Sequence, residues 1–114
     1  MRPRPTTLHM SPWQDPPAPK PLVSGVVQIK LLGQLVDYPA GKSAMVWYGA
    51  GPSIAATATA GLEQSRRALD PDVRLQWRYA AVDSPQQPLR ALVRRFVDRF
   101  GGLPCAQQKA QDGR

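Results

Sequence analysis

Val73, Leu75, Trp77 and Tyr79 alternate with Arg74, Gln76 and Arg78. That period of two predicts a strand with one buried face and two guanidinium groups on the outer one. Val27, Ile29 and Leu31 alternate in the same way with Gln28 and Lys30, so an earlier strand is predicted and the folded part begins near Leu22. Ala44-Met45-Val46-Trp47-Tyr48 gives another strand. The segment before it, Asp37-Tyr38-Pro39-Ala40-Gly41-Lys42, carries turn chemistry, because Pro39 fixes one backbone angle and Gly41 permits a positive one. These two strands are expected to pair antiparallel, and Gly49-Ala50-Gly51-Pro52 to end the second.

Two helices are predicted. Ser53 stands where an N-cap hydroxyl accepts from a helix start, and Ile54, Ala58, Leu62 and Leu69 fall near one face. Gly61 inside this helix costs about 1 kcal/mol relative to alanine, so packing has to hold it, and Pro71 ends it by Asp70. Later, Ser84-Pro85-Gln86-Gln87 has the pattern of a capping box. Leu89, Leu92, Val93, Phe96, Val97 and Phe100 then recur at three- and four-residue intervals until Gly101 supplies a stop. The expected fold is an α+β domain of order β-β-α-β-α over residues 22–104, with a three-stranded, mainly antiparallel sheet and two helices. Residues 105–114 read as a polar, frayed tail.

Residues 1–21 hold seven of the 13 prolines, and only Leu8, Met10, Trp13 and Ala18 could pack, which predicts an extended or disordered arm. Trp13 could dock on the domain or on a partner, or make only a loose contact. Arg2, Arg4, Thr6 and Thr7 would suit a transit peptide, but the prolines oppose the amphipathic helix such peptides use.

A chain of 114 residues allows one domain. Its apolar runs are far shorter than the ~20 residues needed to span a bilayer, so no membrane association is expected and the location is read as cytoplasmic or another intracellular compartment. Cys105 has no disulfide partner and His9 is the one histidine, so neither a metal cluster nor a cofactor is expected.

Catalytic groups are sparse. Asp37, Glu63, Asp70, Asp72, Asp83 and Asp98 are the carboxylates of residues 22–104, and most stand at turns or element ends, where capping accounts for them. Asp70 and Asp72 flank Pro71 and could share a cation, though two carboxylates hold magnesium weakly without a substrate phosphate. Gly49-Ala50-Gly51 before a helix loosely resembles a phosphate-cradling loop but lacks the Lys-Ser/Thr ending. No histidine in the folded part could activate Cys105. Trp47 and Tyr48 are adjacent and point to opposite faces of a strand, so one of them is expected on a surface or in a cleft. With Trp77 and Tyr79 they either stack on bases or cover the sheet under the first helix.

The formal charge is +7, with +2 on the arm, +4 on residues 22–104 and +1 on the tail. Arg90 with Arg94, and Arg95 with Arg99, are i,i+4 pairs that place positive charge on the exposed side of the last predicted helix. Arg74 and Arg78 add to it from the strand. Such a band neutralises phosphates, meets an acidic protein surface, or keeps the chain in solution.

The order of elements, with Trp47-Tyr48-Gly49 ending the strand before the first helix and Phe100-Gly101-Gly102-Leu103-Pro104 closing the last, resembles the small nuclease domain of the GIY-YIG family over most of residues 22–104. The first triplet would be Gly25-Val26-Val27, with valine in the tyrosine position, and the second Trp47-Tyr48-Gly49. Thr57 stands where the family has an arginine, and the last helix lacks the metal-binding glutamate. The resemblance therefore implies a non-cleaving relative, with Trp47, Tyr48 and Gly49 as a vestigial site and no catalytic residues.

The expected function is non-enzymatic nucleic-acid binding within a larger assembly, through Arg90, Arg94, Arg95, Arg99, Arg74 and Arg78. One alternative is a protein-binding subunit or inhibitor that docks through the Pro-rich arm. A third is a weak metal-dependent nuclease using Tyr48 with Asp70 or Asp72.

Overall fold

The computed structural model describes residues 8–112, so the transit-peptide reading of Arg2, Arg4, Thr6 and Thr7 lies outside the described residues. Eight elements follow along the chain: β1 (Gly25–Leu31), β2 (Val36–Tyr38), β3 (Gly41–Ser43), β4 (Met45–Gly51), α1 (Ile54–Ala68), β5 (Leu75–Ala81), α2 (Gln86–Phe100) and α3 (Cys105–Asp112). The fold is α+β, built on a three-stranded antiparallel sheet of order β4-β1-β5 with two main helices. β1 is central, and Ile29 stands opposite Trp47 on one side and Trp77 on the other.

The expected turn at Asp37–Lys42 is a small ribbon, with β2 and β3 pairing across Pro39-Ala40. β4 does not break at Gly49 but runs on until Gly51 faces Gly25.

Both faces of the sheet are covered, so the expectation that Trp47 or Tyr48 would lie at the surface fails. Trp47 is 7% and Tyr48 8% exposed. On one face Val27, Ile29, Leu31, Trp47, Leu75 and Trp77 pack against Ile54, Ala58 and Leu62 of α1. On the other, Tyr48 and Tyr38 pack around Phe96 of α2, with the Tyr38 and Phe96 rings edge to face at 4.9 Å. Strand alternation sends the two neighbours to different cores.

Ser53 caps α1 as expected, its hydroxyl accepting from the Ala56 amide. The interior glycine of that helix has a packing reason: a Cβ at Gly61 would stand 2.5 Å from Cζ3 of Trp47, and one at Gly49 would be closer still to the same ring. α2 also forms, but without the capping box, since no side chain caps its start and Pro85 holds the cap position. With Pro85 rather than Ser84 at the cap position, the cap carries no hydroxyl to accept from the first amides of the helix.

The tail expected to fray after Pro104 instead forms α3, with Ala106 fully buried in the α1 core. Its Gln107 side chain reaches β4, where Oε1 accepts from the Tyr48 amide at 3.2 Å and Nε2 donates to the Tyr48 carbonyl at 2.9 Å. That bidentate amide satisfies the outer edge of β4 as a further strand would. The opposite edge is covered by the arm. The Ser11 amide donates to the Tyr79 carbonyl at 2.7 Å, and Gln14 and Trp77 exchange amide-to-carbonyl bonds of 2.8 and 3.0 Å.

Candidate nucleic-acid interface

α2 has one well-buried side, centred on Phe96, and its hydrophobic period fixes which side faces out. Arg90, Arg94, Arg95 and Arg99 are all exposed, as expected. At about 100° per residue they do not make one stripe. Arg90 and Arg94 form one flank of the outer face and Arg95 and Arg99 the other, with Ala91 and Asp98 between them. Ion pairs among the described residues join only Lys42 to Asp37 and Arg67 to Glu63. The Arg99 guanidinium lies 5.4 Å from the centre of the Phe100 ring.

Arg74 and Arg78 do not form the outward pair that the alternation suggests. Arg74 precedes β5 and is exposed, in a shallow cleft with Leu32, Gly33, Gln34, Asp70 and Asp72. Arg78 is half-buried, and its Nε donates to Oε1 of Gln28 at 2.8 Å. Burial lowers the pKa of its guanidinium, an effect partly offset by the nearby Tyr48 phenol. The arm is the reason it is covered: the Trp13 ring lies 4.4 Å from the Arg78 guanidinium carbon and 4.5 Å from Lys30 Nζ. The alternation placed Arg78 off the α1 core correctly but held no sign that the arm returns over it.

Tyr48, the centre of the vestigial triplet, is packed under α2, and burial raises the pKa of its phenol despite the opposing charge of Arg78. Trp47 lies under α1 with Nε1 donating to Gln64 Oε1 at 2.9 Å. Asp70 and Asp72 form a turn in the connection between α1 and β5, the Asp72 amide donating to Asp70 Oδ1, and they share neither cluster nor cleft with Tyr48. Among the described residues no group of His, Cys, Asp and Glu has the arrangement to hold a metal ion.

The start of α1 offers no anion seat behind Gly49-Ala50-Gly51. Its amides are used internally: Ile54 donates to the Val23 carbonyl, Ala55 to Pro21, Ala56 to the Ser53 hydroxyl and Thr57 to the Ser53 carbonyl. Cys105 is half-buried, and its amide donates to the Tyr38 hydroxyl, which itself donates to the Met45 carbonyl at 2.6 Å. Among the described residues no helix is long and apolar enough to cross a membrane.

Compared with protein-family profiles, with curated proteins and with solved structures, the chain matches none.

Proposed function

We propose that this chain is a basic, non-enzymatic module that binds the phosphate backbone of nucleic acid as an accessory part of a larger assembly. The supporting observation is the outer face of α2, where four exposed guanidinium groups stand in two rows with no ion-pair partner among the described residues. Two rows on one cylinder can meet phosphates on both sides of a groove or of a bent strand, and an exposed arginine contributes through counterion release rather than base identity. Arg74 stands apart from this face, in the cleft with Asp70 and Asp72, and Arg78 is available only where the arm is displaced. The burial of Tyr48 under α2, away from Asp70 and Asp72, favours the non-cleaving form of the GIY-YIG resemblance.

The test is fluorescence anisotropy of the full chain with labelled single- and double-stranded oligonucleotides across a salt series, with magnesium present and the oligonucleotides run on a gel afterwards. The expected result is binding that weakens steeply with salt while the oligonucleotides stay intact. Replacing Arg94 and Arg95 by glutamine should reduce the slope of log K against log salt by about 1.4 to 1.8, because each phosphate contact contributes about 0.7 to 0.9. An unchanged slope would remove α2 from the interface. Cleaved products that disappear in Tyr48→Phe would replace the binding module by a nuclease.

A further inference from the structure

The contact between the arm and the sheet has the composition of a ligand site with an intramolecular occupant. Gln28 is a buried polar side chain, 4% exposed, and its amide oxygen holds the Arg78 guanidinium in place over the sheet. Lys30, one strand across and two residues on, adds an ammonium to the same patch. Both cations lie within 4.5 Å of one aromatic ring, that of Trp13. Unpaired bases stack on aromatic rings and on Arg guanidinium planes, and cations beside them attract their phosphates; the Arg78 plane held by Gln28, with Lys30 next to it, offers both contacts to a π face.

The Trp13 ring itself is held by its two cation contacts. Around it the arm is fixed by the main-chain bonds of Ser11 and Gln14, by the Tyr79 amide donating to Ser11 Oγ at 3.0 Å, and at Asp15, whose carbonyl accepts from Trp77 Nε1 at 3.1 Å and whose Oδ1 accepts from Gln76 at 3.4 Å; further on, Ala18 packs against the α1 core and the Pro21 carbonyl accepts from the Ala55 amide. From Asp15 the arm passes through Pro16, Pro17, Pro19 and Pro21, which have no amide to add to the edge of β5. Freeing Trp13 therefore requires only residues 11–15 to leave the edge of β5, while Ala18 and Pro21 keep the rest of the arm on the α1 side and the core stays closed.

We propose that Lys30 and Arg78, supported by Gln28, form a stacking seat for an unpaired base of single-stranded nucleic acid, and that Trp13 fills this seat until a base displaces it. The inference rests on the nucleic-acid reading above and narrows it to single strands. Duplex bases are already stacked and cannot enter, so the seat discriminates by strandedness rather than by sequence.

The experiment uses the full chain with Trp13→Ala, leaving the charges of the arm in place, and measures binding to an oligouridylate of about 12 nucleotides and to an RNA duplex of the same length. Removing the competing ring is expected to tighten single-strand binding about three- to tenfold, with less than about a twofold change for the duplex. Adding Arg78→Gln should cancel the gain. Gln14→Pro keeps the ring but removes an amide that ties the arm to β5, and should act in the same direction. In the unaltered protein, saturating oligouridylate should speed hydrogen exchange at the Ser11 and Gln14 amides. Unaltered protein that binds the single strand while neither variant binds it more tightly would overturn the seat, as would an equal gain on the duplex or unchanged exchange of those two amides. Absence of binding to either probe by every form at low salt would overturn the nucleic-acid reading itself, and the seat with it.

Discussion

The indole of Trp47 fits under α1 because positions 49 and 61 carry no side chain. Gly61→Ala therefore sets two effects against each other. Alanine favours the helix by about 1 kcal/mol, whereas forcing a methyl into a packed ring costs about 1–3 kcal/mol. The ring is buried and tied to Gln64, so the steric effect should win, and the variant should unfold at lower urea concentration with an unchanged slope. A variant more stable than the parent would mean that α1 lifts away from the sheet easily. Tyr38 and Tyr48 act at the same scale. Burial raises the pKa of both phenols above the ordinary 10.0, so the folded state retains protons that the unfolded state releases. Their contribution is complete below pH 10 and is lost as pH rises past it. Denaturation midpoints should be flat through neutral pH and fall above pH 10, and Tyr38→Phe should make the fall shallower. The burial of Tyr48 was half legible: its neighbour Trp47 had to face the other way, but the second core that receives Tyr48 is assembled from Tyr38 and Phe96, far apart along the chain.

Elements with a strong local period were legible, and those made by contact were not. α2 follows from six apolar positions at helical spacing, and β5 from strict alternation. α3 has no such period, since Cys105-Ala106-Gln107-Gln108 reads as polar, and it is held by burial of Ala106 and by the Gln107 amide on β4. The arm was legible as extended but not as the cover of an edge, because strand pairing between residues 11–14 and 77–79 leaves no signal at either place. The four arginines of α2 were placed correctly for the same reason the helix was, whereas Arg78 was misplaced with the arm. Gln107→Ala tests the edge device. Losing both bonds to Tyr48 should cost about 1–2 kcal/mol in urea denaturation, and the bared edge should raise self-association in sedimentation at high concentration. Unchanged stability would mean that water replaces the amide at no cost.

On α2 charge and packing are separate: Phe96 is buried in the second core, and four of the chain's arginines stand on the outer side. Neutralising Arg90, Arg94, Arg95 and Arg99 together should therefore reduce the salt slope of nucleic-acid binding by about 2.8 to 3.6 while moving the thermal midpoint by only a few degrees, measured by anisotropy and by circular dichroism. Mutual repulsion among them makes a small rise the expected direction. The sheet order has a separate consequence for how the protein is made. β1 leaves the ribosome first yet sits in the middle, between β4 and β5, and the arm that precedes it needs β5 as well. At about 5–20 residues per second, the 50 positions from Leu31 to Ala81 amount to roughly 3–10 s in which a strand buried at all but one of its seven positions has no second neighbour. The newborn chain thus has a window, closed only by the synthesis of β5, in which a chaperone or another nascent copy can claim β1.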